Sequence, residues 1–403
     1  MRECKYKKLY LIYIYIGYMP KAKAKADPKA KADPKAKADP KAKADPKAKA
    51  DPKAKADPTL LNEGAYGCVY KPGVQCDGSK MSNNYVSKIQ KKKARTMQEP
   101  IIGQKIREKL PQYAYYFAPA MDVCPAVLTS IQKSELKKCT VIDERAPKDE
   151  FVALKIPYVG KHTLGANLSI HAKQDPQTFY SHVLDTHQYL ARAIDQLVHL
   201  RIIHHDIKQN NVMYSEKWHV PIIIDFGVAF QVDQLYDNET LKMIFFSHYE
   251  KYPPWCPEIM CIAAIVNQDQ TQPQPQPQSN HKWETQKVPV SQLQSIIKTY
   301  FRESPLVTNH TKTISTYQKQ WMSYLKTFEN KTGKTALKML LQHWNTWDMY
   351  STNAMYYALA SSSNPPLPEN YRTYLMDQLF CIPSKRNEAL EISEAIDQFM
   401  RET

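Results

Sequence analysis

Residues 201–230 read RIIHHDIKQNNVMYSEKWHVPIIIDFGVAF, and their reading decides the fold. An apolar run leads into Asp206, Lys208 follows two positions on, and Asn211 stands five beyond the aspartate. Fourteen residues after Asn211, past the strand-like VPIIID, comes Asp225 at the head of Asp225-Phe226-Gly227. Two carboxylates, a lysine and an amide therefore flank a short β-prone segment.

Transfer of a γ-phosphoryl group asks little covalent work of a protein. It needs a carboxylate that orients a hydroxyl and accepts its proton, and oxygen ligands for the metal on the triphosphate. Asp206 fits the first role, and Asn211 with Asp225 fits the second. The plainer alternative is a strand, turn and strand with satisfied polar groups, but the order and separation of the two motifs argue against it.

These motifs, His204-His205-Asp206-Ile207-Lys208-Gln209-Asn210-Asn211 and Asp225-Phe226-Gly227, resemble the H-R-D-L-x-x-x-N and D-F-G pair of the protein kinase superfamily. The resemblance implies an α+β, two-lobed protein kinase fold with a small β-rich N-lobe and a larger helical C-lobe. Asp206 would be the catalytic base, Lys208 would contact the γ-phosphate, and Asn211 and Asp225 would bind Mg²⁺. The D-I-K-x-x-N form of the loop is that of serine/threonine kinases. His205 stands where the family has an arginine that pairs with a phosphorylated activation loop, and imidazole is a poor substitute for guanidinium there. The resemblance thus implies activity that does not depend strictly on such phosphorylation.

Working outward, Leu61-Asn62-Glu63-Gly64-Ala65-Tyr66-Gly67-Cys68-Val69 resembles the Gly-rich loop. Gly64 and Gly67 would let backbone amides approach the ATP phosphates, and Val69 would lie on the adenine. Asn62 replaces the first glycine and tolerates left-handed backbone better than most residues. Tyr85-Val86-Ser87-Lys88-Ile89 aligns with V-A-I-K, so Lys88 would hold the α- and β-phosphates, while Lys91, Lys92 and Lys93 read as a surface charge run. Glu99, at the head of EPIIGQKIREKL, would pair with Lys88, with Glu108 as the fallback; Pro100 requires Glu99 to sit near the helix start. The strand and turn FVALKIPYVGKHTL, residues 151–164, reads as the inter-lobe hinge, with backbone near Ile156–Val159 bonding the adenine edge. The helical stretch before the catalytic loop carries His182, His187 and His199, which read as surface or satisfied histidines rather than a metal set.

Beyond the catalytic loop, Cys256-Pro257-Glu258 resembles A-P-E, and Glu258 is expected to form a buried ion pair with Arg386. Trp347-Asp348-Met349-Tyr350-Ser351-Thr352-Asn353 resembles D-x-W-S-x-G without its glycine, and Asp348 would anchor the catalytic loop. Residues 259–347 then read as an insertion, containing the Gln/Pro stretch 271–279 and helical patterns that would cover the larger lobe or bind a partner.

The expected division is 1–58 leader and repeats, then 59–403 kinase domain, with the N-lobe at 59–157 and the C-lobe at 158–403. Residues 1–20 combine a basic start with the apolar LYLIYIYIGYM, which fits the first two regions of a secretory signal, a weak surface anchor or a leader without a role. KAKADP then repeats six times from Lys23 to Pro58. Nothing in it builds a core and its prolines interrupt helix, so it reads as a disordered basic tail. Residues 1–58 hold 17 Lys+Arg against 7 Asp+Glu, so most of the net charge of +15 lies there. That charge would give at most weak electrostatic contact with nucleic acid or acidic surfaces; a solvated linker is the plainer reading.

No apolar run reaches the ~20 residues of a membrane-spanning helix. The eight scattered cysteines suggest free thiols in a reducing compartment. The implied partners are ATP, Mg²⁺ and protein substrates, with a monomer expected. The Gly-rich loop, the YPPWCPE segment and the large insertion look most like serine/threonine kinases of large cytoplasmic DNA viruses such as iridoviruses. That likeness implies the host-cell cytoplasm or the virion. Two other readings stay open: a pseudokinase scaffold, favoured by Asn62, Pro100, His205 and Asn353, and a nucleic-acid-binding protein acting through its repeats.

Overall fold

The computed structural model describes residues 57–402 except 65, 75, 77–81, 94, 143–149, 246–251, 269–281 and 308–310. The expectations for the apolar leader, the basic repeats and the Gln/Pro stretch at 271–279 fall outside the described residues.

The fold is mixed α+β. Five strands, β1 (Thr59–Glu63), β2 (Gly67–Lys71), β3 (Tyr85–Lys91), β4 (Asp122–Pro125) and β5 (Phe151–Pro157), form an antiparallel sheet in the order β1-β2-β3-β5-β4. The two central strands, YVSKIQK and FVALKIP, are buried along most of their length, as their β-branched and aromatic content favours. Their register sets Lys88 opposite Leu154.

Helix α1 (Gln98–Lys109) turns Ile102 and Ile106 into the core. Pro100 occupies its first turn, where a missing N–H leaves no intrahelical bond unmade. Glu99 consequently sits in that first turn and is buried. The helix comes close to the chain ahead of β4 at Gly103, where a Cβ would lie 2.5 Å from the Ala120 carbonyl oxygen.

The exposed edge strand β1 is covered by the segment around α2 (Lys133–Leu136). Glu135 Oε2 accepts a bond from Leu60 N at 2.9 Å, and Glu63 Oε1 accepts one from Thr140 N at 2.8 Å.

Four of the seven described cysteines overturn the expectation of free thiols; Cys4 lies outside the described residues. Cys68 on β2 is bonded to Cys139, 71 positions away, and Cys76 is paired with Cys124. Cys256, Cys261 and Cys381 remain as buried thiols. The sheet and its covering segment bring together residues whose sequence spacing suggested nothing. For a closed loop of this size the chain-entropy estimate is about 4 kcal/mol. Cys139→Ser is therefore expected to lower the guanidinium midpoint by a corresponding amount, and a midpoint equal to wild type under oxidising conditions would show that the bond contributes nothing.

The rest is helical around two small two-stranded sheets. In order come α3 (Leu164–Gln174), α4 (Phe179–His199), β6 (Ile202–Ile203), β7 (Val212–Ser215), β8 (Val220–Ile223), β9 (Phe230–Gln231) and α5 (Asn238–Ile244). Then follow α6 (Pro257–Val266), α7 (Val290–Glu303), α8 (Thr311–Lys326), α9 (Gly333–Leu341), α10 (Trp347–Ser362), α11 (Glu369–Phe380) and α12 (Ala389–Arg401). Strand β7 pairs with β8, and β6 with β9, both antiparallel. Helix α4 buries Val183, Leu184, Leu190, Ala191, Ile194 and Leu197, a stripe at helical spacing. Among the described residues no helix is long and apolar enough to cross a membrane.

The expected insertion is part of the core. Leu293 and Ile297 of α7, Trp321 and Leu325 of α8, and Leu340 of α9 join the same buried cluster as α4 and α10. Two buried polar contacts fix the joint: the Tyr300 and Tyr350 hydroxyls meet at 2.7 Å, and Trp321 Nε1 donates to the Phe380 carbonyl at 3.1 Å.

Candidate functional site

The loop after β6 is held from below by α10. Asp348 Oδ2 accepts from His204 N at 2.7 Å and Oδ1 from His205 N at 2.9 Å. His205 takes φ 68°, a region that non-glycine residues enter only when their surroundings impose it. Here Trp255 Nε1 donates to the His205 carbonyl at 3.1 Å, and the indole stacks on the imidazole at 5.1 Å. His204 Nδ1 accepts from Asp206 N at 3.3 Å, so its ring proton lies on Nε2, which donates to the Ile224 carbonyl at 3.0 Å.

The same helix accounts for Asn353, where the resemblance calls for glycine. Its Oδ1 lies 3.0 Å from His187 Nε2, while the Tyr371 hydroxyl lies 2.8 Å from Nδ1. Burial pushes the His187 imidazole down to about 3, partly opposed by the bond to Asn353, so it is a neutral core group. His199 is exposed and His182 half-buried.

Asp206 is set by three side chains. Asn211 Nδ2 donates to its Oδ2 at 3.0 Å, and Lys208 Nζ lies 2.9 Å from the same oxygen. The Tyr252 hydroxyl donates to Oδ1. Asn211 also bonds the Asp206 carbonyl at 2.9 Å, which closes the loop on itself.

The β7–β8 hairpin links this loop to Asp225. Val212 pairs with Ile223, and Ile224 N donates to the Asn211 carbonyl at 2.9 Å, so Asn211 and Asp225 emerge side by side at its open end. Asp225 takes φ 62°. Phe226 is buried against Phe117 and His204, with ring centroids at 6.0 Å and 4.9 Å, and this anchors the turn that carries the aspartate.

Lys88 joins the hairpin to the sheet. Its Nζ lies 2.8 Å from Glu99 Oε2 and 2.6 Å from Asp225 Oδ1. Burial works against the ammonium charge, but the Asp225 and Glu99 carboxylates outweigh it and hold Lys88 protonated. Burial pushes the Glu99 carboxyl up, against the pull of Lys88. Burial would also raise Asp225, but Lys88 draws it down to about 2.

A carboxyl with a folded-state pKa below its ordinary value stabilises the fold above that ordinary value, and the contribution disappears as pH falls through the folded pKa. The Asp225 side chain keeps 43 % of its surface exposed, so screening makes the contribution modest. The stability difference between wild type and Asp225→Asn is expected to shrink between pH 3.8 and about 2. A difference that stayed constant across that range would rule out the Lys88 attraction as its source.

Lys88, Glu99 and Asp225 thus form one connected group, and Asp206, Lys208 and Asn211 a second one bonded to it through the hairpin. Asn62, Gly64, Gly67 and Val69 stand on β1, β2 and the turn between them, with Val69 the cross-strand partner of Lys88. Asn62 Oδ1 accepts from Glu63 N at 3.0 Å. Gly67 is a glycine because β3 leaves no room: a Cβ would collide with the Ile89 carbonyl and the Gln90 side chain. Gly64 has space, its nearest neighbour being the Gly67 carbonyl oxygen at 3.6 Å. Val69 and Tyr158 each pack against the buried cluster that holds Ile156 of the expected hinge. The fallback Glu108 instead accepts from Gln104 on the helix surface. Sequence reasoning missed Tyr252 and Trp255 as site residues; Trp and Tyr in YPPWCPE were the only signal.

Asn211 and Asp225 offer hard oxygen donors of the kind Mg²⁺ takes. The Asn211 amide nitrogen is used on Asp206, leaving its oxygen as the donor, and Asp225 has a second oxygen besides the one that meets Lys88. Among the described residues one other cluster has ligand-like spacing, Glu63 with Cys68 and Cys139, but its sulfurs are joined to each other. No family model and no curated protein matches this chain.

Proposed function

We propose that this chain is a serine/threonine protein kinase of two-lobed architecture, carrying the γ-phosphate of ATP to a protein hydroxyl. The observation that supports this best is the hairpin that ties the Lys88–Glu99–Asp225 group to the Asp206–Lys208–Asn211 group. Asp206 orients the acceptor hydroxyl and takes its proton. Lys88, kept cationic by two carboxylates, holds the α- and β-phosphates, and Lys208 adds positive charge beside the reacting oxygen. Asn211 and Asp225 would hold Mg²⁺, which would supply charge neutralisation on the phosphates. The apolar surface of Val69, Ile156 and Tyr158 suits a purine ring. His205, packed against Trp255, Phe230 and Phe245, is built into an aromatic nest rather than turned toward a phosphate.

The likeness to kinases of cytoplasmic DNA viruses points to a host cytoplasm, whereas the Cys68–Cys139 bond requires an oxidising step during maturation. The test of the central reading is transfer of labelled phosphate from ATP to a generic basic protein by the full chain. Mg²⁺-dependent incorporation is expected. Nucleotide binding without transfer would instead favour a scaffold, a reading that the engagement of Asp206 by Tyr252 already gives some ground.

A further inference from the structure

Tyr252 occupies the position on Asp206 that an acceptor hydroxyl would need. Its phenol donates to Asp206 Oδ1, and Lys208 Nζ lies 3.2 Å from the same phenol oxygen. Lys208 and Asn211 hold the other carboxylate oxygen at 2.9 Å and 3.0 Å, so the carboxylate is oriented with Oδ1 toward the phenol. The ring is fixed as well: it packs edge-on against Trp255 at 5.1 Å, and that indole donates to the His205 carbonyl of the same loop. Pro253 and Pro254 follow directly and stiffen the chain that presents it. Tyr252 is 9 % exposed, so the hydroxyl is presented to its own site and not to other molecules.

A hydroxyl bonded to the base and within reach of the lysine beside the γ-phosphate has the two protein contacts of a nucleophile. A phenol, with an ordinary pKa of about 10, gives up its proton more readily than an aliphatic hydroxyl. Holding it there makes the reaction intramolecular.

We propose that Tyr252 is this protein's own phosphate acceptor, modified within the same molecule because the fold holds its phenol on the base, even though outside acceptors are serine and threonine; the proposal rests on the kinase reading above. The phenol oxygen forms a bond to the γ-phosphorus, and the bond from that phosphorus to the β,γ-bridging oxygen breaks. ADP departs, and the phenol proton passes to Asp206 and then to water. The product sets a phosphate dianion beside the Asp206 carboxylate, and their repulsion drives the side chain off the base, freeing Oδ1 for an outside hydroxyl; transfer would then depend on phosphorylation of this segment after all, against the expectation drawn from His205.

The experiment incubates the full chain with Mg-ATP over a tenfold range of protein concentration, with a generic basic protein present, and maps phosphate by peptide mass spectrometry. Tyr236, 75 % exposed on the same segment, serves as the internal reference for reaction between molecules. The expected result is one phosphate on Tyr252, appearing at a first-order rate independent of protein concentration, and absent from Asp206→Asn. Label on the basic protein with Tyr252 unmodified, or modified at a rate that rises with protein concentration, overturns the proposal and leaves the kinase reading intact. Label on neither overturns both.

Discussion

Asp206→Asn is expected to lose phosphate transfer by a factor of ~10²–10⁴, the usual contribution of a positioned general base, while keeping its fold and its nucleotide. The bonding around the residue explains why the two separate. Oδ2 receives donors from both Asn211 and Lys208, whereas Oδ1 receives one from Tyr252. An asparagine can keep its oxygen toward the two donors and turn its amide N–H toward Tyr252, whose hydroxyl then accepts instead of donating. Packing is preserved and only the proton acceptor is lost. Lys88→Met should behave differently, because it leaves Glu99 and Asp225 facing each other without the cation between them. Nucleotide affinity and transfer should then fall together. Initial rates of transfer combined with calorimetric titration of nucleotide measure both. An Asp206→Asn protein that retains more than a tenth of wild-type transfer would remove Asp206 from the role of base.

The second large effect is expected far from the chemistry. Glu258 and Arg386 have no side-chain exposure and meet through both terminal guanidinium nitrogens, the Oε2 to Nη2 distance being 3.3 Å. Arg386 also donates to the Gln378 carbonyl at 3.3 Å and to Thr346 Oγ1 at 3.2 Å, and lies 5.0 Å from the Tyr350 ring centroid. Removing either partner strands a buried charge, so Arg386→Ala or Glu258→Ala should each cost ~3–5 kcal/mol. Replacing both with leucine should cost much less than the sum, because no charge is then left uncompensated. Urea unfolding of the three variants decides it. Additive losses, or a single-variant loss below about 1 kcal/mol, would mean that the pair carries little of the fold's stability.

Both predictions concern residues that the sequence pointed to, but for different reasons. Asp206, Lys208, Asn211 and Asp225 fall within 20 positions of one another, and a chemistry that needs a fixed set of groups leaves a fixed local spacing. Glu99 was legible in spite of Pro100, since proline in a first turn breaks nothing. Asp348 and Arg386 were legible only by resemblance. Gly67 shows the opposite: the residue was singled out for phosphate, and the structure gives it a simpler cause in the approach of β3.

What the sequence determined by itself is therefore the chemistry on offer and the local elements that carry it: the two central strands of the sheet, the loop before Asn211, the strand-like segment to Asp225 and the basic repeats. Which distant pieces meet was decided only by tertiary structure. The helices between 290 and 341 have apolar stripes that would look alike facing a partner or a core, and only packing showed that Trp321 and Tyr300 belong to the core of α10. Cys68 and Cys139 lie 71 positions apart, with nothing local to couple them. Tyr252 stands 46 residues from Asp206, and a phenol's distance from a carboxylate is written in no pattern of neighbours. Local order follows from short-range sterics and hydrogen bonding, whereas contacts such as these exist only once the whole chain has buried its apolar surface.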